Sequence, residues 1–200
     1  MKHLKLFGIS ALSLVLLAAC NQSTESSVGD TPPAASAAPS TPASAPVAAS
    51  QTIASKDGKI SITVNGQYAD KLSEASQLIS DIPSEQLLFL QRDDSADVLL
   101  YAADLGKSKK DAATYLKTLS DAVKADAALK NTNVGAVEGN KLAYQFSETQ
   151  AETEVNQACV AINEGNIYSV CAISSSQSPA QLAQLLSNIA VKRSEEHTSE

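Results

Sequence analysis

Residues 158–173 read Ala-Cys-Val-Ala-Ile-Asn-Glu-Gly-Asn-Ile-Tyr-Ser-Val-Cys-Ala-Ile, two apolar runs separated by a short polar stretch. This pattern predicts two antiparallel strands joined as a β-hairpin. The length of the loop decides the register of the pairing. A two-residue turn would set Cys159 opposite Val170. A three-residue loop at 164–166 sets Cys159 opposite Cys171 instead, and the asparagine in this loop can take the left-handed conformation.

The three-residue loop favours a disulfide bond between Cys159 and Cys171, because directly opposite cysteines in a non-hydrogen-bonded pair have about the right separation. The disulfide then lies on one face of the hairpin and an apolar row lies on the other. That row consists of Val160, Ile162, Tyr168 and Val170. A redox-active pair is the alternative, although the two cysteines do not form a Cys-x-x-Cys motif.

Alternating or apolar runs predict further strands on both sides of this hairpin. The predicted strands lie at 59–64, 87–91, 98–102, 133–137 and 141–146, and residues 190–191 can add a last pair of strand residues.

Two main helices are predicted. Ser108 and Asp111 form a capping-box-like start for the first helix. The second helix starts at Ser178-Pro179-Ala180-Gln181, which combines an N-cap residue, an early proline and a glutamine that closes the capping box. A further short helix at 70–80 is ambiguous. The order of these elements predicts an antiparallel α+β fold with the two main helices covering one sheet. The apolar positions of the helices are Ala112, Tyr115, Leu116, Leu119, Val123, Leu182, Leu185, Leu186 and Ile189.

The charge and the histidine content exclude several classes of function. The 200-residue chain has 22 acidic and 15 basic residues, a net charge of −7, and no basic run, so we expect no nucleic-acid partner. Its two histidines are His3 and His197, outside the predicted domain. A domain without histidine has no serine–histidine or cysteine–histidine catalysis and no histidine zinc site. We therefore expect neither an enzyme nor a bound cofactor.

The N-terminus has the features of an export signal. Residues 1–5 carry two lysines and residues 6–19 are apolar or small, which predicts a signal peptide at 1–19. The apolar run is shorter than the ~20 residues that cross a bilayer. It ends in Leu17-Ala18-Ala19-Cys20, which resembles a bacterial lipobox.

The lipobox resemblance implies that Cys20 is lipidated. In that family the sulfur receives a diacylglycerol, the signal is cut before the cysteine, and the new amine is acylated. Two or more acyl chains hold a protein firmly on a membrane. An ordinary cleaved signal with a free thiol at Cys20 is the alternative. The next residue is Asn21 rather than aspartate, which favours the outer membrane of a Gram-negative envelope.

The predicted domain is flanked by two segments of different composition. Five of the seven prolines lie between Pro32 and Pro46 among alanine, serine and threonine, so residues 20–56 are expected to form a disordered tether after the lipid anchor. Residues 57–192 then form one domain, long enough to bury a core. Residues 193–200 resemble the translation of a sequencing-library adapter, and we expect them to be an artefact.

Three polar clusters are candidates for chemistry. Residues 93–97, Asp-Asp-Ser-Ala-Asp, resemble the opening of an EF-hand loop, but Val98 occupies the glycine position and no later glutamate matches, which favours a solvated hairpin turn. The serines at 174–176 have no base nearby and predict a polar strand exit. A basic cluster at 107–110 favours a solvated loop over contact with an anionic partner. We therefore expect no catalytic, cofactor or metal site.

The whole layout resembles the DcrB-like envelope lipoproteins, which are related in fold to the PsbP and Mog1 domains. The residues that carry the resemblance are the lipobox, the tether, the opening Asp57-Gly58-Lys59-Ile60-Ser61-Ile62, the helix at 112–123 and the closing run at 186–191. The chain departs from the family in its cysteine pair and in an insert at 72–83. The resemblance implies a sandwich of antiparallel sheet and helices with no established enzymatic activity.

These observations predict a lipid-anchored envelope protein whose domain acts by contact with an envelope protein partner. One alternative is a lipoprotein that binds a small ligand in a cavity between helices and sheet. Another is an inhibitor or immunity protein against an envelope-acting toxin.

Overall fold

The computed structural model describes residues 49–192 of the chain. Two antiparallel sheets and three short helices make up this part. The smaller sheet has the strand order β1-β2-β10, and the larger has the order β3-β4-β5-β9-β8-β7-β6. The strands are β1 Ser50–Ala54, β2 Ile60–Asn65, β3 Ala69–Asp70, β4 Leu87–Asp93, β5 Val98–Lys107, β6 Lys130–Glu138, β7 Lys141–Gln150, β8 Thr153–Glu164, β9 Asn166–Ser174 and β10 Ile189–Val191. The helices are α1 Ala75–Leu78, α2 Ala112–Ala125 and α3 Pro179–Leu185.

The predicted class is confirmed at this level, since the described residues are mixed α+β and every strand pairing is antiparallel. The architecture differs in detail. Strand β2 pairs with β1 and β10 in a sheet of its own, so there are two sheets where one was predicted. An alternating run such as that of β2 predicts which side chains face inward, but it does not predict which strands will pair with it.

The first strand requires a correction to the predicted tether. Ser50–Ala54 lies inside the segment assigned to the tether, yet it pairs along its whole length with β2. Ile53 supplies the reason, because its side chain is buried in the core between the sheets. Within the described residues, the fold therefore includes β1, and the predicted domain boundary at residue 57 is too late. The signal peptide, Cys20, most of the tether and residues 193–200 lie outside the described residues.

The larger sheet is covered on both faces. Neighbouring residues of a strand point to opposite faces. Val160 packs against the core cluster that contains Leu182 of α3 and residues of the smaller sheet, whereas Ala161 lies in the cluster that contains Leu116 of α2. Helices α2 and α3 therefore lie on opposite faces of β8. The short helix α1, through Ala75, covers the α2 face farther along, over β4 and β5.

The two helix starts had different outcomes. The capping box at Ser178 and Gln181 is confirmed, with the Ser178 side chain accepting from the Gln181 N–H. The N-cap of α2 is Asp111 rather than Ser108, and its carboxylate accepts from the Thr114 N–H at 2.9 Å. Ser108 instead forms a local turn with Lys110. Within residues 49–192, none of the helices is long and apolar enough to cross a membrane.

Candidate functional site

The β8–β9 hairpin has the register that the three-residue loop predicts. Cys159 pairs with Cys171, and their sulfur atoms lie 2.10 Å apart, at the distance of a disulfide bond. The left-handed residue of the loop is Gly165, with φ of 78°, and not the asparagine that follows it. Glycine takes this conformation without steric cost, which explains the difference.

The cysteine pair is buried in the core. It packs with Leu90, Leu99 and Tyr101 on the face that α1 covers. Cys159 and Cys171 are 2% and 1% exposed, respectively. Burial raises the pKa of the neighbouring Tyr144 to about 12 and also raises the pKa of Tyr101, so these phenols are neutral at physiological pH. The predicted apolar row lies on the opposite face, as expected, but the disulfide face belongs to the core as well.

The EF-hand-like segment binds its own backbone. One carboxylate oxygen of Asp93 accepts from the N–H groups of Ser95 and Ala96, at 2.9 and 3.1 Å, and from the Ser95 hydroxyl at 2.6 Å. The other accepts from the N–H of Gln67 at 2.9 Å. Because Asp93 is 2% exposed, the prediction of a fully solvated turn is wrong at this residue. Among the described residues, no group of three or more His, Cys, Asp or Glu is placed to hold a metal ion.

Asp97 links the same turn to the serine-rich segment. Its carboxylate accepts from the N–H and the hydroxyl of Ser175, at 3.2 and 2.6 Å. Arg92 also contacts Asp97 at 3.3 Å and Asp94 at 2.5 Å. The serine-rich segment is therefore a strand exit tied to the β4–β5 turn, and it leads to the Ser178 cap as predicted.

The hydrogen bonds set the protonation of both aspartates. Burial alone would raise the pKa of Asp93, but the Ser95 hydroxyl and three backbone N–H groups lower it below its usual range. The Ser175 hydroxyl is the main cause of the lowered pKa of Asp97. Both groups are therefore carboxylates at neutral pH and act as acceptors that hold loops together.

The predicted basic cluster lies in the connection between β5 and α2. Lys107 is the last residue of β5, and Lys109 and Lys110 precede the helix. Lys109 and Lys110 are exposed, and the ammonium group of Lys110 lies 3.5 Å from the hydroxyl of Thr118. This geometry matches the predicted solvated loop.

A groove lies between α3 and the larger sheet, and we call it the α3 groove. Its floor comes from strands β6, β7 and β8, and its wall comes from α3 and the turn after it. Two adjoining hollows of about 160 and 370 Å³ share this floor and wall. The residues common to both hollows are Gly135, Ala143, Val160, Ala183 and Leu186.

Small side chains create this space. Gly135, Ala143 and Ala183 fill little volume where larger residues would close the gap between helix and sheet. Polar groups stand at both ends of the groove, with Asn133 and Gln145 in the smaller hollow and Glu138, Lys141 and Ser187 in the larger. An apolar floor between polar ends is a typical surface for a small ligand or an extended segment of a partner.

The α3 groove could not be predicted from the sequence. Its lining comes from β6, β7 and β8 and, farther along the chain, from α3, the turn after it and β10, and no sequence motif joins these residues. The one available signal is the run Asn-Val-Gly-Ala-Val at 133–137, a strand sequence with a glycine at its centre. Glycine inside a strand often marks a bulge or a close approach of another group.

Comparison with models of known protein families and with curated protein sequences found no match to this chain. The function is therefore inferred from its residues and its geometry.

Proposed function

We propose that the chain is a lipid-anchored protein of a Gram-negative cell envelope, with a non-catalytic domain that contacts envelope protein partners. One observation carries the proposal. The apolar segment at 6–19 ends in Leu17-Ala18-Ala19-Cys20, and a proline-, alanine- and serine-rich tether follows directly. Lipid on Cys20 would hold the protein on the membrane, and Asn21 favours the outer membrane.

We also infer a place among the DcrB-like lipoproteins, with their PsbP- and Mog1-related sandwich. The order of anchor, tether and domain supports this inference, as do the antiparallel α+β class and the helices on the larger sheet. The α3 groove is the surface that we assign to partner contact, because it is open, apolar at its floor and polar at its ends.

A Cys20→Ala variant tests the anchor. We expect it to lose incorporation of a labelled fatty acid and to leave the membrane fraction or remain unprocessed. Asn21→Asp is the matched control, because it keeps the thiol and should keep the lipid label. A cleaved Cys20→Ala protein that still sediments with membranes would disprove lipid anchoring as the means of attachment.

Photo-cross-linking in intact cells tests the contact surface. A photoreactive residue at Ala143, on the groove floor, should capture a discrete envelope protein. The same residue at Thr118, exposed on α2 at the opposite face, is the control. Equal capture from both positions would mean that the α3 groove is not the contact surface.

Binding of a small ligand is the second candidate function, favoured by the same groove. Native mass spectrometry of the purified full chain distinguishes the two, because a bound molecule adds a fixed mass that Ala143→Leu should remove. A protein partner would instead appear only in the cross-linking experiment.

A further inference from the structure

Strand β6 is the long exposed edge of this fold. Among the described strands, β1, β3, β6 and β10 lie at sheet edges, and they have 5, 2, 9 and 3 residues, respectively. Within residues 49–192, β6 pairs with β7 on one side and has no strand on the other. The outer side of such a strand presents unpaired N–H and C=O groups, which are a template for a further strand.

The sequence of β6 carries few of the usual protections against strand pairing. Eight of its nine residues are exposed, and no proline or charged residue lies between its ends, Lys130 and Glu138. Val137 is one of two large apolar side chains that stay exposed within the described residues, at 39%. The pairing with β7 shifts register twice, between Lys130 and Asn133 and between Val134 and Val137. These shifts change the direction of some backbone N–H and C=O groups. They leave the strand without a charged residue between its ends that would repel a second copy.

We propose that β6 pairs antiparallel with β6 of a second copy of this chain, centred on Val134. The charges at its ends select this arrangement. Pairing about Val134 sets Lys130 opposite Glu138 of the second copy, and the two-fold symmetry repeats the contact. Parallel pairing would instead set like charges side by side, which destabilises a sheet. None of the ion pairs within the described residues uses Lys130 or Glu138, and the ammonium group of Lys130 makes an exposed hydrogen bond to the Thr149 hydroxyl at 3.1 Å, which the dimer contact would replace.

The dimer would join the two α3 grooves. Gly135, Ala136 and Glu138 of β6 line the groove, so its β6 side faces the two-fold axis. Pairing of the edges makes one continuous sheet, with both α3 helices on the same face. Five strand spacings separate β8 from β8 of the second copy, roughly 24 Å. The result is a single trough between two helices, with a strand floor.

Cysteine cross-linking of the full-length chain in its membrane tests the pairing. In a Val134→Cys variant the two new cysteines face each other across the axis, within the Cα separation that a disulfide needs. We expect a covalent dimer on a non-reducing gel after mild oxidation. Val137→Cys is the matched control. Val137 is the more exposed position, so random collision between copies would cross-link it faster than Val134. In the proposed pairing its two copies lie six residues apart along the strands, so we expect little cross-linking there.

Charge reversal tests the register independently. Lys130→Glu and Glu138→Lys each replace two attractive contacts by two repulsive ones, and each should weaken dimer association about tenfold. The double variant Lys130→Glu/Glu138→Lys restores opposite charges and should restore the dimer. Three results would overturn the proposal: faster cross-linking through Val137→Cys, a dimer that neither single reversal weakens, or capture of a different protein at Val134→Cys.

Discussion

The β8–β9 and β6–β7 hairpins lie in the same sheet but are held in different ways. The β8–β9 hairpin pairs without a register shift over nine residue pairs, carries the cysteine pair, and is buried on both faces. The β6–β7 hairpin shifts register twice, and its outer strand is exposed. One hairpin therefore determines the fold, and the other is available for contact.

Loss of the Cys159–Cys171 disulfide should have the largest effect on the difference in stability between the two hairpins. A Cys159→Ala/Cys171→Ala variant should lose about 3 kcal/mol of unfolding free energy, because the bond closes a loop of 12 residues in the unfolded chain. Denaturant titration of the double variant measures this loss, and reduction of the unmodified protein should reproduce it. Unchanged stability, with thiols that exchange rapidly in cells, would assign the pair to redox chemistry instead of structure.

A pair of matched valines measures the contrast without the disulfide. Val170 of β9 is fully buried, whereas Val137 of β6 is 39% exposed. Val170→Ala should cost about 2.5 kcal/mol, because it removes packed methyl groups and leaves a cavity. Val137→Ala should cost less than about 0.5 kcal/mol. Both values come from the same titration. Equal losses would mean that β6 is covered in the protein. Because the proposed dimer would cover β6 at high protein concentration, the titration should be made at a low concentration, where the protein is monomeric.

The sequence was most informative where several local signals agreed. Alternation and loop length together placed Cys159 opposite Cys171, and the Ser178–Gln181 capping box fixed the start of α3. Each of these signals is local, and neither depends on which other strand or helix packs nearby. The antiparallel class followed from the order of such elements.

Long-range packing explains what the sequence did not reveal. β1 was missed because Ser50–Ala54 continues a tether-like composition, and Ile53 alone ties it to the core. The burial of Asp93 was missed because its Gln67 partner is 26 residues away. The α3 groove was missed because small residues from separate elements form it. The anchor at Cys20 remains a prediction, since it lies outside residues 49–192.

The difference between buried and exposed groups can also be measured within one turn, where the expected effect is the smallest. Asp93 and Asp94 are neighbours in one turn, yet Asp93 is buried and the side chain of Asp94 is 78% exposed. Asp93→Asn should cost about 2 kcal/mol at pH 7, because an amide cannot accept at both positions. Asp94→Asn removes one exposed ion pair with Arg92 and should cost less than about 0.5 kcal/mol.

The pH dependence of this difference identifies the carboxylate as its source. The folded pKa of Asp93 lies below the ordinary value of 3.8, so the unfolded chain takes up the proton first as the pH falls. The contribution of Asp93 is therefore fully present above about pH 4 and is lost as the pH falls through the folded pKa. The gap in unfolding free energy between the unmodified protein and Asp93→Asn should narrow over that acid range, while the Asp94→Asn gap stays small throughout. Because Asp97 also has a lowered pKa, the measurement is the difference between variants rather than the acid stability of either one. A gap that stays constant down to pH 2 would show that the amide substitution disturbs packing, and that the buried carboxylate charge does not stabilise this turn.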